Sequence, residues 1–100
     1  MSLPIRIPEN QIAAFCARHH IRRLLLFGSA LRDDFRSDSD IDLLAEFASG
    51  HVPGFFGLIA MQNELQEMLG REVDFLTPGF LSRHIRNQVM QEALVIYDAA

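Results

Sequence analysis

Residues Leu24–Phe47 read LLLFGSALRDDFRSDSDIDLLAEF, and the fold turns on how that stretch divides. Leu24–Phe27 is apolar without alternation, as expected of a strand covered on both faces. Gly28-Ser29 then makes a tight turn, Ala30–Asp34 a short polar helix and Phe35–Ser39 a loop. A second strand opens with Asp40-Ile41-Asp42, and alternation puts the two acids on one face and Ile41 on the other. Neighbouring carboxylates repel, and a chain keeps such a pair at tolerable cost when a cation sits between them. Hard oxygen ligands favour a divalent ion, Mg²⁺ first. The turn after the first strand offers backbone N–H groups at a helix start, with the Ser29 hydroxyl beside them, to a phosphate. A phosphate grip and a metal grip on adjacent strands point to phosphoryl or nucleotidyl transfer.

Two plainer readings of the acids fail. A calcium loop beginning at Asp38 needs glycine at its sixth position and glutamate at its twelfth, where this chain has Leu43 and Ser49. A solvent-facing acidic strand would continue with polar residues at alternate positions, but Leu43, Leu44 and Ala45 follow. Asp38 reads as a turn or capping residue.

Composition narrows the field further. One hundred residues with 49% apolar and 22% charged side chains suit one ordinary globular domain, residues 1–100. So small a domain buries a modest share of its surface, so a partner is expected to help. Cys16 is the only cysteine, which excludes an intrachain disulfide and a Cys-rich zinc site and fits a reducing cytoplasm. No run approaches the roughly 20 apolar residues of a membrane span, and no signal-peptide pattern opens the chain. Net charge is −4 and all nine basic residues are arginine. An acidic chain binds long nucleic acid poorly, and the lack of lysine rules out a Walker-type phosphate loop.

The rest of the chain reads as alternating helices and strands. Pro8–His20 is a first helix with Ile12, Phe15 and Cys16 on one stripe, ended by two histidines that do not share a face. Ile21–Phe27 is the first strand. Ala48–Gly54 is a loop holding His51, expected in solvent. Phe55–Leu69 is a second helix, with Phe56, Ile59, Ala60, Leu65, Met68 and Leu69 as its apolar face and Gly70 as its stop. Phe55, Phe56 and Met61 read as core, with a partner surface as the alternative. Arg71–Thr77 is a third strand on which Val73 and Phe75 point one way and Asp74 the other. Phe80–Glu92 is a last helix with Leu81, Ile85, Val89 and Met90 inward, and Ala93–Tyr97 is either a short strand or a tail.

Gly28-Ser29, ten intervening residues and Asp40-Ile41-Asp42 match the motif of the DNA polymerase beta-like nucleotidyltransferases. With so short a chain, the sequence resembles the minimal nucleotidyltransferase branch. That resemblance implies an α+β two-layer fold: a small mixed sheet with helices packed mainly on one face. It also implies a third acid on the strand where Asp74 lies, and an arginine near the triphosphate, which Arg32 matches. Asp33 departs from the pattern, since glycine is frequent there, and it adds negative charge beside an anionic ligand.

The resemblance further implies an Mg²⁺-dependent nucleotidyltransferase using ATP and two magnesium ions. Asp40, Asp42 and Asp74 are then its catalytic and metal-binding residues, and Gly28, Ser29 and Arg32 its nucleotide-binding ones. Many members of the branch are antitoxins paired with HEPN-domain toxins, so transfer of AMP to a toxin tyrosine is the leading expectation. The alternatives are a non-catalytic binding antitoxin and an enzyme modifying a small molecule of the aminoglycoside kind. A homo-oligomer stays open.

Overall fold

A computed structural model describes residues 7–28, 40–80 and 82–99. The expected helix Ala30–Asp34, with Ser29 and Arg32, lies outside the described residues. Helix α1 (Glu9–Arg18) follows Pro8, whose φ of −78° suits a helix start although the helix itself opens one residue later. Ile12, Phe15 and Cys16 are its buried stripe, as the spacing predicts. Burial pushes the Cys16 thiol up to about 12, which makes it packing and not a nucleophile.

Strands β1 (Ile21–Phe27) and β2 (Ile41–Phe47) pair antiparallel, with Phe27 opposite Asp42. Helix α2 (Phe55–Leu69) ends at Gly70, whose φ of +68° is left-handed and whose N–H reaches the Gln66 carbonyl. Strand β3 (Val73–Leu76) returns parallel to β2, and a short 3-10 turn (Pro78–Phe80) leads towards α3 (Arg83–Glu92). The last stretch is a strand, β4 (Leu94–Asp98), paired antiparallel with β1. The sheet is mixed, in the order β3-β2-β1-β4.

Helices α1 and α2 cover one face. Leu24, Leu26, Ile41, Leu43, Ala45, Val73 and Phe75 join Phe15 and Leu65 in the core beneath them. Leu25 and Leu44, paired with each other, are also buried, so the central strands are covered on both faces. That is why their sequence runs apolar without alternation.

One expectation is overturned. On α2 the buried residues are Leu58, Met61 and Leu65, not a face beginning at Phe56 and Ile59. Phe56 is 83% exposed and Phe55 67%, and Ala60 is exposed too. The helix is apolar nearly all round in its first half, so composition did not decide which stripe turns inward. The decision comes from β3. Gln62 and Gln66, one turn apart, accept hydrogen bonds from the Phe75 and Val73 N–H groups at 3.2 and 3.1 Å. They hold that side of α2 against the sheet edge. At the far side, Arg18 and His19 of the α1 terminus reach Glu64, with His19 Nε2 3.0 Å from Oε2.

Candidate active site

The parallel pairing of β2 with β3 places Asp42 directly opposite Asp74. Their neighbours Ile41, Leu43, Val73 and Phe75 are all in the core, so the two carboxylates share the opposite sheet face. Asp40, two residues before Asp42 and exposed, immediately precedes β2, where the Ile41 N–H bonds the Glu72 carbonyl at 2.9 Å.

Gly28 closes the site from the β1 side. Its φ is +74°, and a Cβ built on it would stand 2.2 Å from Asp42 Oδ2. The Asp42 carboxylate therefore occupies the space a side chain at 28 would fill. Glycine is required here twice, for its backbone conformation and for the room it leaves. Sequence reasoning expected at Gly28 a backbone geometry or close approach that a side chain would obstruct, but not that Asp42 makes it, because residues 14 apart in the chain meet only through the β1–β2 register. Ser29 and Arg32 lie outside the described residues, so the phosphate side of the site rests on Gly28 alone.

The donor set suits a hard cation. Magnesium is commonly held by one or two carboxylates together with waters and substrate phosphate oxygens, and it seldom has an all-protein cage. Asp42 and Asp74 across one strand pairing meet that requirement, with Asp40 adjacent. Among the described residues no three His, Cys, Asp or Glu side chains are gathered closely enough to hold an ion by themselves.

The remaining candidates fall elsewhere. The His51 and His20 rings stack at 3.9 Å. They sit where Ala48 N–H meets the His20 carbonyl, at the opposite end of β1 from Gly28. Tyr97 lies opposite Leu24 on β4 and packs against the core. No described helix is long and apolar enough to cross a membrane.

Comparison with known proteins agrees with this fold. The family described as Nucleotidyltransferase domain matches residues 9–96. A chain from Methanocaldococcus jannaschii, provisionally named a protein adenylyltransferase, is 33% identical over 86% of this chain and 90% of its own length. A solved structure provisionally described as a minimal nucleotidyltransferase superposes with a TM-score of 0.72 at 34% identity, covering 86% of each chain. At the level of fold alone, the tri-AMPylated Shewanella oneidensis HEPN toxin in complex with MNT antitoxin gives a TM-score of 0.68 at 19% identity, over 91% of this chain and 70% of the other. The family match over most of the chain and the relative at 33% identity place the chain in the nucleotidyltransferase-domain family.

Proposed function

We propose that the chain is a protein adenylyltransferase that moves AMP from ATP to a hydroxyl of a partner polypeptide and thereby acts as an antitoxin. The partner it fits is a HEPN-domain toxin, with a tyrosine as acceptor. The observation that carries the proposal is Asp42, which meets Asp74 across the strand pairing and fills the space left by Gly28. Support comes also from the relative named as an adenylyltransferase and from the AMPylated complex of the same fold.

Asp40, Asp42 and Asp74 would hold magnesium, two ions in all, and the bound metal would neutralise charge on the transferring phosphoryl group and favour ionisation of the acceptor hydroxyl. The chain's own groups mainly position and neutralise, because the phosphoryl group is strongly anionic at every stage. Gly28 and, by the family resemblance, Ser29 would hold the β- and γ-phosphates, with Arg32 as a further phosphate partner. Asp74, on the β3 side, faces the acceptor. The acceptor oxygen bonds to the α-phosphorus as the bond to pyrophosphate breaks, and the hydroxyl proton leaves towards the Asp74 side.

A second reading is neutralisation by binding alone, for which the exposed Phe55 and Phe56 would supply a contact surface. Incubating the chain with α-labelled ATP and Mg²⁺, with and without the product of the adjacent gene, decides between them. Label on the neighbour supports transfer, whereas tight association without label supports the second reading. Asp40→Asn and Asp42→Asn are each expected to abolish labelling with an unchanged circular dichroism spectrum. Full labelling by both variants would remove the carboxylates from the mechanism.

A further inference from the structure

Phe27 closes the apolar run of β1 and stands directly across from Asp42 in the β1–β2 pairing. Leu24 and Leu26 are in the core beneath α1 and α2, so Phe27 projects from the other sheet face, the one that carries Asp42 and Asp74. We propose that Phe27 is a positioning residue of the cation site. Its ring walls Asp42 on the β1 side, keeps the carboxylate turned onto Gly28 and shields it from water. The inference rests on the adenylyltransferase reading and adds to it a residue that acts through Asp42.

The strand registers set Phe27, Asp42 and Asp74 in one row across the sheet. Directly opposed residues of an antiparallel pair have their Cβ atoms about 5 Å apart, within reach of an aromatic ring. The Asp42 side chain leans onto β1, where its Cγ lies 3.1 Å from the place a Cβ at Gly28 would take. Leaning that way carries the carboxylate alongside residue 27. The missing side chain of Gly28 thus opens a seat for the carboxylate, and the ring of Phe27 bounds that seat.

Burial separates the three acids. Asp40 and Asp74 are exposed, whereas Asp42 is half-buried, as is Phe27. The next row into the sheet pairs Leu25 with Leu44, which are 2% and 0% exposed. Asp42 therefore stands where a dry apolar face meets solvent, with Leu44 behind it and Phe27 at its side. A carboxylate in such a place is costly alone, but it attracts a cation more strongly than an exposed one, because less water screens the pair. Asp42 is for that reason the acid on which the cation site depends most.

The test is a titration of the full chain with Mn²⁺ alone, read from the free-ion electron paramagnetic resonance signal, together with the melting temperature of the metal-free chain. Phe27→Val removes the ring and keeps a residue that strands favour, while Phe27→Tyr keeps the ring. Phe47→Val makes the same cut about 17 Å along β2 from Asp42, where Phe47 packs on the core. Phe27→Val is expected to bind Mn²⁺ about tenfold more weakly, in the range seen when a group supporting a metal ligand is lost. Phe27→Tyr keeps wild-type affinity, and Phe47→Val melts lower with Mn²⁺ affinity unchanged. If Phe27→Val does not fold, Phe27→Leu is read in its place, with a smaller loss of the same sign. Equal affinity in wild type and the trimmed variant overturns the proposal, as does a loss that Phe47→Val or Phe27→Tyr shares. Wild-type chain that binds no Mn²⁺, or binds it equally well as Asp42→Asn, removes the carboxylate site and the proposal with it. A selective loss in Phe27→Val, from a wild type that never labels the product of the adjacent gene, upholds the role of Phe27 and sinks the transferase reading instead.

Discussion

A methyl group added at residue 28 meets two separate obstacles. It would stand 2.2 Å from Asp42 Oδ2, and it would sit on a backbone with φ of +74°. The second effect alone costs about 1–2 kcal/mol for an L-residue in the left-handed region. In a domain of this size each kcal/mol lowers the melting temperature by roughly 4–8 °C. Gly28→Ala is therefore expected to melt at least that much lower and to lose transfer, because the Asp42 carboxylate is driven from its position. A variant with wild-type melting and labelling would show that the carboxylate does not depend on that space. Asp42 itself is the more informative residue for chemistry, since its isosteric amide keeps the shape and removes the charge.

At the scale of the element, β3 is the instructive case. It is a four-residue strand at the sheet edge, and edge strands present unpaired N–H groups to any passing chain. Here Gln62 and Gln66 of α2 take those donors, so the helix both covers the core and seals the edge. Val73 is buried, so its amide has no water to turn to if Gln66 is replaced. Gln66→Leu is expected to cost about 1 kcal/mol or somewhat more, the usual penalty for a buried donor left without an acceptor. Denaturant unfolding measures the loss, and faster hydrogen exchange at the Val73 amide assigns it. Unchanged exchange at Val73 would mean the strand edge is protected by something other than the glutamine. The same pair of glutamines fixes the rotation of α2, which is why Phe55 and Phe56 stay outside despite their size.

For the molecule as a whole, ion pairs tie the two helices on the covered face to each other. Arg18 and His19 from α1 converge on Glu64 of α2. Partial burial pushes the Glu64 carboxyl up, but hydrogen bonds from Arg18 and His19 and their charge outweigh it and hold it below the ordinary range. The folded state therefore favours ionised Glu64 more than the unfolded chain does. That contribution is complete above the ordinary glutamate pKa of about 4.3 and is lost as the pH falls through the lower folded value. The wild-type melting temperature is expected to fall across that window more steeply than that of Glu64→Gln. Parallel acid profiles for the two would remove Glu64 from the acid response. The effect is small, because the pair is partly exposed and screened by solvent.

Much of the architecture was legible in one dimension. The bounds of β1, β2 and α2 follow from apolar runs closed by Gly28, the Ser49-Gly50 turn and Gly70. The alternation of Asp42 and Asp74 against core neighbours likewise needs only the two-residue period of a strand. These are local properties, set by which residues can occupy a helix or a strand at all. Three things required the folded chain: the stripe of α2 that turns inward, the assignment of residues 94–98 to a paired strand, and the seat of the Asp42 carboxylate against Gly28. Each depends on register between segments far apart in sequence, and register is decided by packing and hydrogen bonds across elements, which no local pattern encodes.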